Sequence, residues 1–191
     1  MDDLAVMIET LHKNNSFVVL DIETTGFNYL KGDRITEVCC YSIEDGEMKN
    51  MFQTLINPEK YIPKSITDIT GIDNKMVRFS PTFYNIAQGL VDFIGDKPIV
   101  CHNADFDMGK FIIPMYRDIG YEIPNRIICT LKIAKLIMAD SSSKKLGDIY
   151  KSVTGKKPVN SHRALGDVAM TCEVLIKFKE FIDKNYDKII K

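Results

Sequence analysis

The sequence predicts an α/β protein, a mixed β-sheet with helices packed on both faces. Three observations carry this. Three strand-like runs come first, at about 17–23, 34–43 and 48–56. Asp45-Gly46 lies between the second and third, a dipeptide that favours a tight hairpin and therefore an antiparallel pair. From Pro63 onward, short apolar runs alternate with stretches of helical periodicity, the pattern of a sheet covered on both sides.

The elements follow in order. Leu4, Met7, Ile8 and Leu11 recur at helical spacing over 3–14, and Asn14-Asn15-Ser16 breaks that helix. Phe17-Val18-Val19-Leu20 has the length and composition of a buried strand, running on through Glu23. A loop with Gly26 and Lys31-Gly32-Asp33 leads to the hairpin, which stops at Asn57-Pro58. A short helix is expected from Pro63 to Thr70, ending near Gly71. Pro81 opens a longer one with Phe83, Ile86, Ala87, Leu90, Val91 and Ile94 on one face. Pro98 to His102 reads as a fourth strand, and 107–119 as a helix kinked at Pro114 and closed by Gly120. Arg126 to Cys129 is the expected last strand. Helices follow over 130–138, 146–153 and about 163–183, with a polar loop at Ser141 to Lys145. No repeat or linker divides the chain, so one domain over residues 1–191 is expected.

Composition narrows the classes. The chain has 191 residues, 45% hydrophobic and 27% charged, enough to bury a core without staples. No apolar run approaches the roughly 18 residues of a membrane span, and Met1-Asp2-Asp3-Leu4 lacks a basic signal start. The five cysteines have no zinc-like spacing and read as reduced core residues of a cytoplasmic protein. A net charge of −1 gives no global attraction for nucleic acid, so such binding must be local or carried by metal.

The polar residues that a core does not need fall in three places. Asp21 and Glu23 are two apart at a strand end, and residues at i and i+2 share a face. They read either as a solvated strand end before the Thr24-Thr25-Gly26 turn or as oxygen ligands for a hard divalent cation. Asp107 follows the fourth strand in His102-Asn103-Ala104-Asp105-Phe106-Asp107, and taken alone it reads as a helix cap. Asp167 lies beside Val168 on the apolar side of the last helix, where a carboxylate needs a partner. His162 precedes it in a loop.

These segments, Asp21-Ile22-Glu23-Thr24-Thr25-Gly26, His102 to Asp107 and His162-Arg163-Ala164-Leu165-Gly166-Asp167, resemble in order the three motifs of the DEDDh (DnaQ-like) 3′–5′ exonucleases. Ile69-Thr70-Gly71-Ile72 is similar to the family's intermediate motif, although Thr70 stands where some proofreading members carry histidine. The resemblance spans about Ser16 to Phe181 and runs toward the epsilon-subunit and PolC-type proofreading exonucleases of bacterial DNA polymerase III.

It implies a ribonuclease H-like fold with a five-stranded mixed sheet. Asp21, Glu23, Asp107 and Asp167 match the metal-binding carboxylates for two Mg²⁺ or Mn²⁺ ions, and His162 matches the general base. Thr24, Phe27 and Ile69 match positions that line the 3′-terminal nucleotide, while His102-Asn103 shapes the turn and the site wall. The implied activity is removal of nucleoside 5′-monophosphates from the 3′ end of single-stranded or frayed DNA. The implied partners are nucleic acid and a DNA polymerase, with no membrane. RNA 3′-end trimming is the alternative within the superfamily. A non-catalytic polymerase-associated module is the alternative outside it, and the presence of all five catalytic residues argues against that. Asp105 reads as outward-facing. Lys144, Lys145, Lys156 and Lys157 read as solvated lysines, with a basic rim for the substrate backbone as the other option.

Overall fold

The computed structural model describes residues 3–158 and 163–190. A five-stranded mixed sheet runs through the middle. Its strands are β1 (Ser16–Thr24), β2 (Ile35–Glu44), β3 (Glu47–Leu55), β4 (Ile99–Cys101) and β5 (Ile127–Cys129), in the spatial order β3-β2-β1-β4-β5. β1 pairs antiparallel with β2 and parallel with β4, and β4 pairs parallel with β5. The expected hairpin forms, with Glu44 opposite Glu47. Asp45 and Gly46 both take positive φ, 51° and 79°, which a two-residue turn of this hand requires.

Eight α-helices are described: α1 (Leu4–Lys13), α2 (Lys64–Thr70), α3 (Asn74–Val77), α4 (Phe83–Ile94), α5 (Ile113–Asp118), α6 (Thr130–Ile137), α7 (Leu146–Thr154) and α8 (Ala164–Ile189). The small α3 was not anticipated, and α8 continues past the expected end at 183. The larger difference lies before α5. Residues Asp105–Ile112 form a π-helical segment rather than the first part of a kinked α-helix. Proline has no N–H and its ring crowds the carbonyl four residues back, so the turn ahead of Pro114 widens. The Ile113 N–H accordingly reaches the Met108 carbonyl.

The period-2 alternation of β1 divides the interior in two. Val18, Leu20 and Ile22 face a core with Leu90 and Ile94 of α4 and with Phe111 and Tyr116. Phe17 and Val19 face the other core, with Leu11 of α1 and Val168, Leu175 and Phe178 of α8. Asp21 and Glu23 continue the second row, so they emerge under the head of α8. All five cysteines are free and buried. None of the described helices is long and apolar enough to cross a membrane.

Candidate active site

The site forms at the carboxyl ends of the parallel strands, where open α/β sheets place their ligands. β4 stops at Cys101 while β1 runs on to Thr24, so the upper part of β1 loses its partner on that side. Asp107 fills the gap. Its side chain is only 3% exposed, and its carboxylate lies against the Ile22 N–H and its own N–H, which favour its charged form. It therefore serves β1 as well as its own segment, instead of capping a helix start. A register shift between Glu23 and Thr24 ends regular pairing with β2 beside the site, where such irregularities re-aim side chains.

α8 supplies the remaining carboxylate. Asp167 sits in its first turn, next to the fully buried Val168. Single carboxylate oxygens of Asp21, Glu23 and Asp167 lie within 4.8 Å of one another. Burial first, then the charges of Asp107, Asp167, Glu23 and Glu37, push the Asp21 carboxyl well above its usual range. Burial, with Asp167 and Glu37, pushes Glu23 up to about 8, against a smaller pull from Arg163. For Asp107 burial outweighs the two backbone N–H groups and raises it too. Arg163, the cation whose charge reaches Glu23, is itself paired with Glu37. An all-oxygen, anionic set this close suits a hard divalent cation, which would remove the repulsion that raises these groups.

Of the expected substrate positions, Thr24 ends β1 beside Glu23 and Phe27 follows in the next loop. Thr24 is buried, and its hydroxyl donates to the Gly26 carbonyl at 2.6 Å. A Cβ at Gly26 would collide with the Asp33 carboxylate, which accepts from the Asn28 N–H at 3.0 Å. That close approach folds the loop back and leaves Phe27 68% exposed, its ring 6.2 Å from Phe106. Ile69 on α2 is 51% exposed. His102 is held from both ring nitrogens, by Thr130 Oγ1 at 2.9 Å and by the Lys144 carbonyl at 3.2 Å, with Asn103 in the left-handed region beside it. His102 thus ties its motif to the loop before α7. Asp105 is exposed and pairs with Lys132 at 2.8 Å, as its outward reading requires. Lys156 pairs with Glu173, and Lys144 donates to the Ser141 carbonyl. His162 lies outside the described residues.

Sequence reasoning missed Glu37. It lies directly opposite Glu23 in the β1–β2 register and is 1% exposed. The available signal was a carboxylate between Ile35 and Val38, in the interior of a strand rich in apolar residues.

The sheet order, the helices on both faces and this acidic cluster define an exonuclease-type α/β domain. Residues 18–175 match the family described as Exonuclease, and the chain belongs to that family. It is 36% identical over 174 residues to the PolC-type DNA polymerase III of Clostridium perfringens, covering 89% of this chain and 12% of that one. It is 33% identical over 170 residues to the DNA polymerase III epsilon subunit of Aquifex aeolicus, covering 87% of this chain and 82% of that subunit. The chain thus spans about an eighth of the PolC-type relative and most of the epsilon subunit. Among solved structures it is similar to exonuclease X in complex with 5′-overhanging duplex DNA. The TM-score is 0.70 at 23% identity, covering 92% of this chain and 99% of that one. That likeness bears out the expected fold, and the family bears out the expected DEDDh, DnaQ-like kinship.

Proposed function

We propose that the chain is a metal-dependent 3′–5′ exonuclease that releases nucleoside 5′-monophosphates from the 3′ end of single-stranded or frayed DNA. The observation that carries this reading is the convergence of Asp21, Glu23 and Asp167 oxygens within 4.8 Å beside the buried Asp107. Held by these four carboxylates, two divalent ions, Mg²⁺ or Mn²⁺, would supply positive charge against the phosphodiester and the leaving 3′ oxygen. His162 takes the proton of the attacking water, a role that contributes about 10²–10⁴-fold. Phe27 and Ile69 are exposed apolar side chains, suited to gripping terminal bases by stacking and packing without reading sequence. Thr24, in the turn at Gly26, lines the terminal nucleotide.

DNA is the substrate favoured by the kinship with DNA polymerase III chains, and a DNA polymerase is the corresponding protein partner. The five free, buried thiols support a reducing, cytoplasmic setting.

The test is a time course on 5′-labelled DNA and RNA oligonucleotides, 3′-blocked and unblocked, with Mg²⁺, Mn²⁺ or EDTA. A ladder that shortens from the free 3′ end only with metal, and faster on DNA, is expected. His162→Ala should fold normally and lose about 10²-fold or more of that rate. Faster shortening of RNA would move the chain to RNA 3′-end trimming. No cleavage from a folded, metal-binding protein would overturn catalysis altogether.

A further inference from the structure

We infer that Glu37 and Arg163 form a latch that positions the head of α8, and with it Asp167, for turnover. The inference rests on the exonuclease reading above and concerns residues to which that reading gives no role.

The geometry is that of a filled carboxylate site. Glu37 Oε1 accepts from Arg163 Nη2 at 2.8 Å and from Gln53 Nε2 at 3.0 Å. Glu37 Oε2 accepts from Arg163 Nε at 3.0 Å and from the Ala164 N–H at 3.3 Å. Arg163 therefore engages in the two-pronged fashion that fixes a guanidinium in both position and plane.

The Ala164 contact matters as much. Arg163 occupies the position before α8, and its side chain makes no capping hydrogen bond to that helix. Glu37, on β2 between β1 and β3, supplies the missing acceptor for a free N–H of the first turn. One buried carboxylate thus pins the backbone at residue 164 and the side chain of residue 163 to the sheet. Asp167 lies one turn along α8 from this anchor. Glu37 also stands opposite Glu23, so the anchor is referenced to the same strand register that places Asp21 and Glu23.

A purely structural ion pair would affect folding stability only. A positioning latch affects the chemical step, because small displacements of reacting groups are costly in rate. Glu37→Gln keeps the shape and removes the charge. Single-turnover and steady-state cleavage of a DNA oligonucleotide, Mg²⁺ titration, thermal melting and hydrogen exchange over residues 163–167 are measured together. We expect kcat to fall about 10-fold or more, KM and the Mg²⁺ dissociation constant to stay within about twofold, and exchange at 163–167 to accelerate. Arg163→Lys, which retains the charge without the fork, should also lose rate.

Unchanged kcat in both variants, with only a lower melting temperature, would overturn the latch. Should the wild-type protein itself fail to cleave, the exonuclease reading falls, and exchange decides the latch alone. Unaltered exchange at 163–167 in folded Glu37→Gln would then overturn it.

Discussion

Glu23 and Glu37 face each other across β1 and β2, on the same side of the sheet and beneath the same helix. Like charges directly opposite are destabilising unless something intervenes. For Glu37 the protein supplies the remedy: Arg163, Gln53 and the Ala164 N–H occupy both oxygens. For Glu23 it supplies more carboxylates, Asp21 and Asp167, and leaves the oxygens converging. One carboxylate is completed internally and reads as architecture. Its neighbour is left with excess negative potential and reads as a cation site. Glu37 is fully buried, whereas Asp21, Glu23 and Asp167 stay partly open to solvent, as a site that admits a cation must. The source of the compensating charge separates the two regions as well.

Breaking the converging set should have the largest effect. Asp21→Ala is expected to reduce cleavage by at least about 10³-fold, with the circular dichroism spectrum and melting cooperativity retained. Full activity in that variant would remove Asp21 from the site.

Next comes the completed side. Arg163→Ala leaves the 1%-exposed Glu37 with only Gln53 and one N–H, and should lower stability by about 2 kcal/mol in urea unfolding. This is below the ~3–5 kcal/mol of a fully buried pair, because the Arg163 side chain is 44% exposed. A change within error would mean that the guanidinium and the carboxylate are not in fact interdependent.

pH sharpens the contrast between the two regions. In Glu23 the folded carboxyl is raised to about 8, so the folded state holds its proton more tightly than the unfolded chain does. Stability from this group is full below the unfolded carboxyl value and is lost as pH rises through about 8. Asp21 and Asp107 are shifted in the same direction. Metal-free protein should therefore melt at progressively lower temperature between about pH 5 and pH 8. Saturating Mg²⁺ should flatten that slope, since cation binding favours the charged form. Parallel slopes with and without Mg²⁺ would count against the cation site.

The smallest effect is expected at Asp105. It is two residues from Asp107 but exposed and paired with Lys132, so Asp105→Asn should change stability by less than about 1 kcal/mol and leave the cleavage rate unaltered. A large rate loss would show that the acidic site extends further than the converging set.

Much of this molecule is legible locally. Phe17 to Leu20 declares a buried strand through its own side chains, and Asp45-Gly46 declares the hairpin through its backbone preferences. The helices over 83–94 and 130–137 follow from apolar spacing alone. Asp21 and Glu23 stand out as a pair on one face of a strand end, Asp167 as a carboxylate on an apolar helix side, and Asp107, alone a plausible cap, through the ordered motif it falls in. The π-helical segment was not legible, because it depends on how the turn ahead of Pro114 relaxes while Asp107 reaches Ile22. Glu37 was not legible as an anchor, because Arg163 is 126 residues away in sequence.

The chain by itself determined the alternation of β1, the order of its elements and the residue types available for a hard cation. Those depend on side-chain period and backbone preference within a few residues. Only the tertiary structure decided which carboxylates converge and which is neutralised. That outcome is set by where α8 lands on the sheet, since opposite Glu37 stands a guanidinium and opposite Asp21 and Glu23 stands another carboxylate.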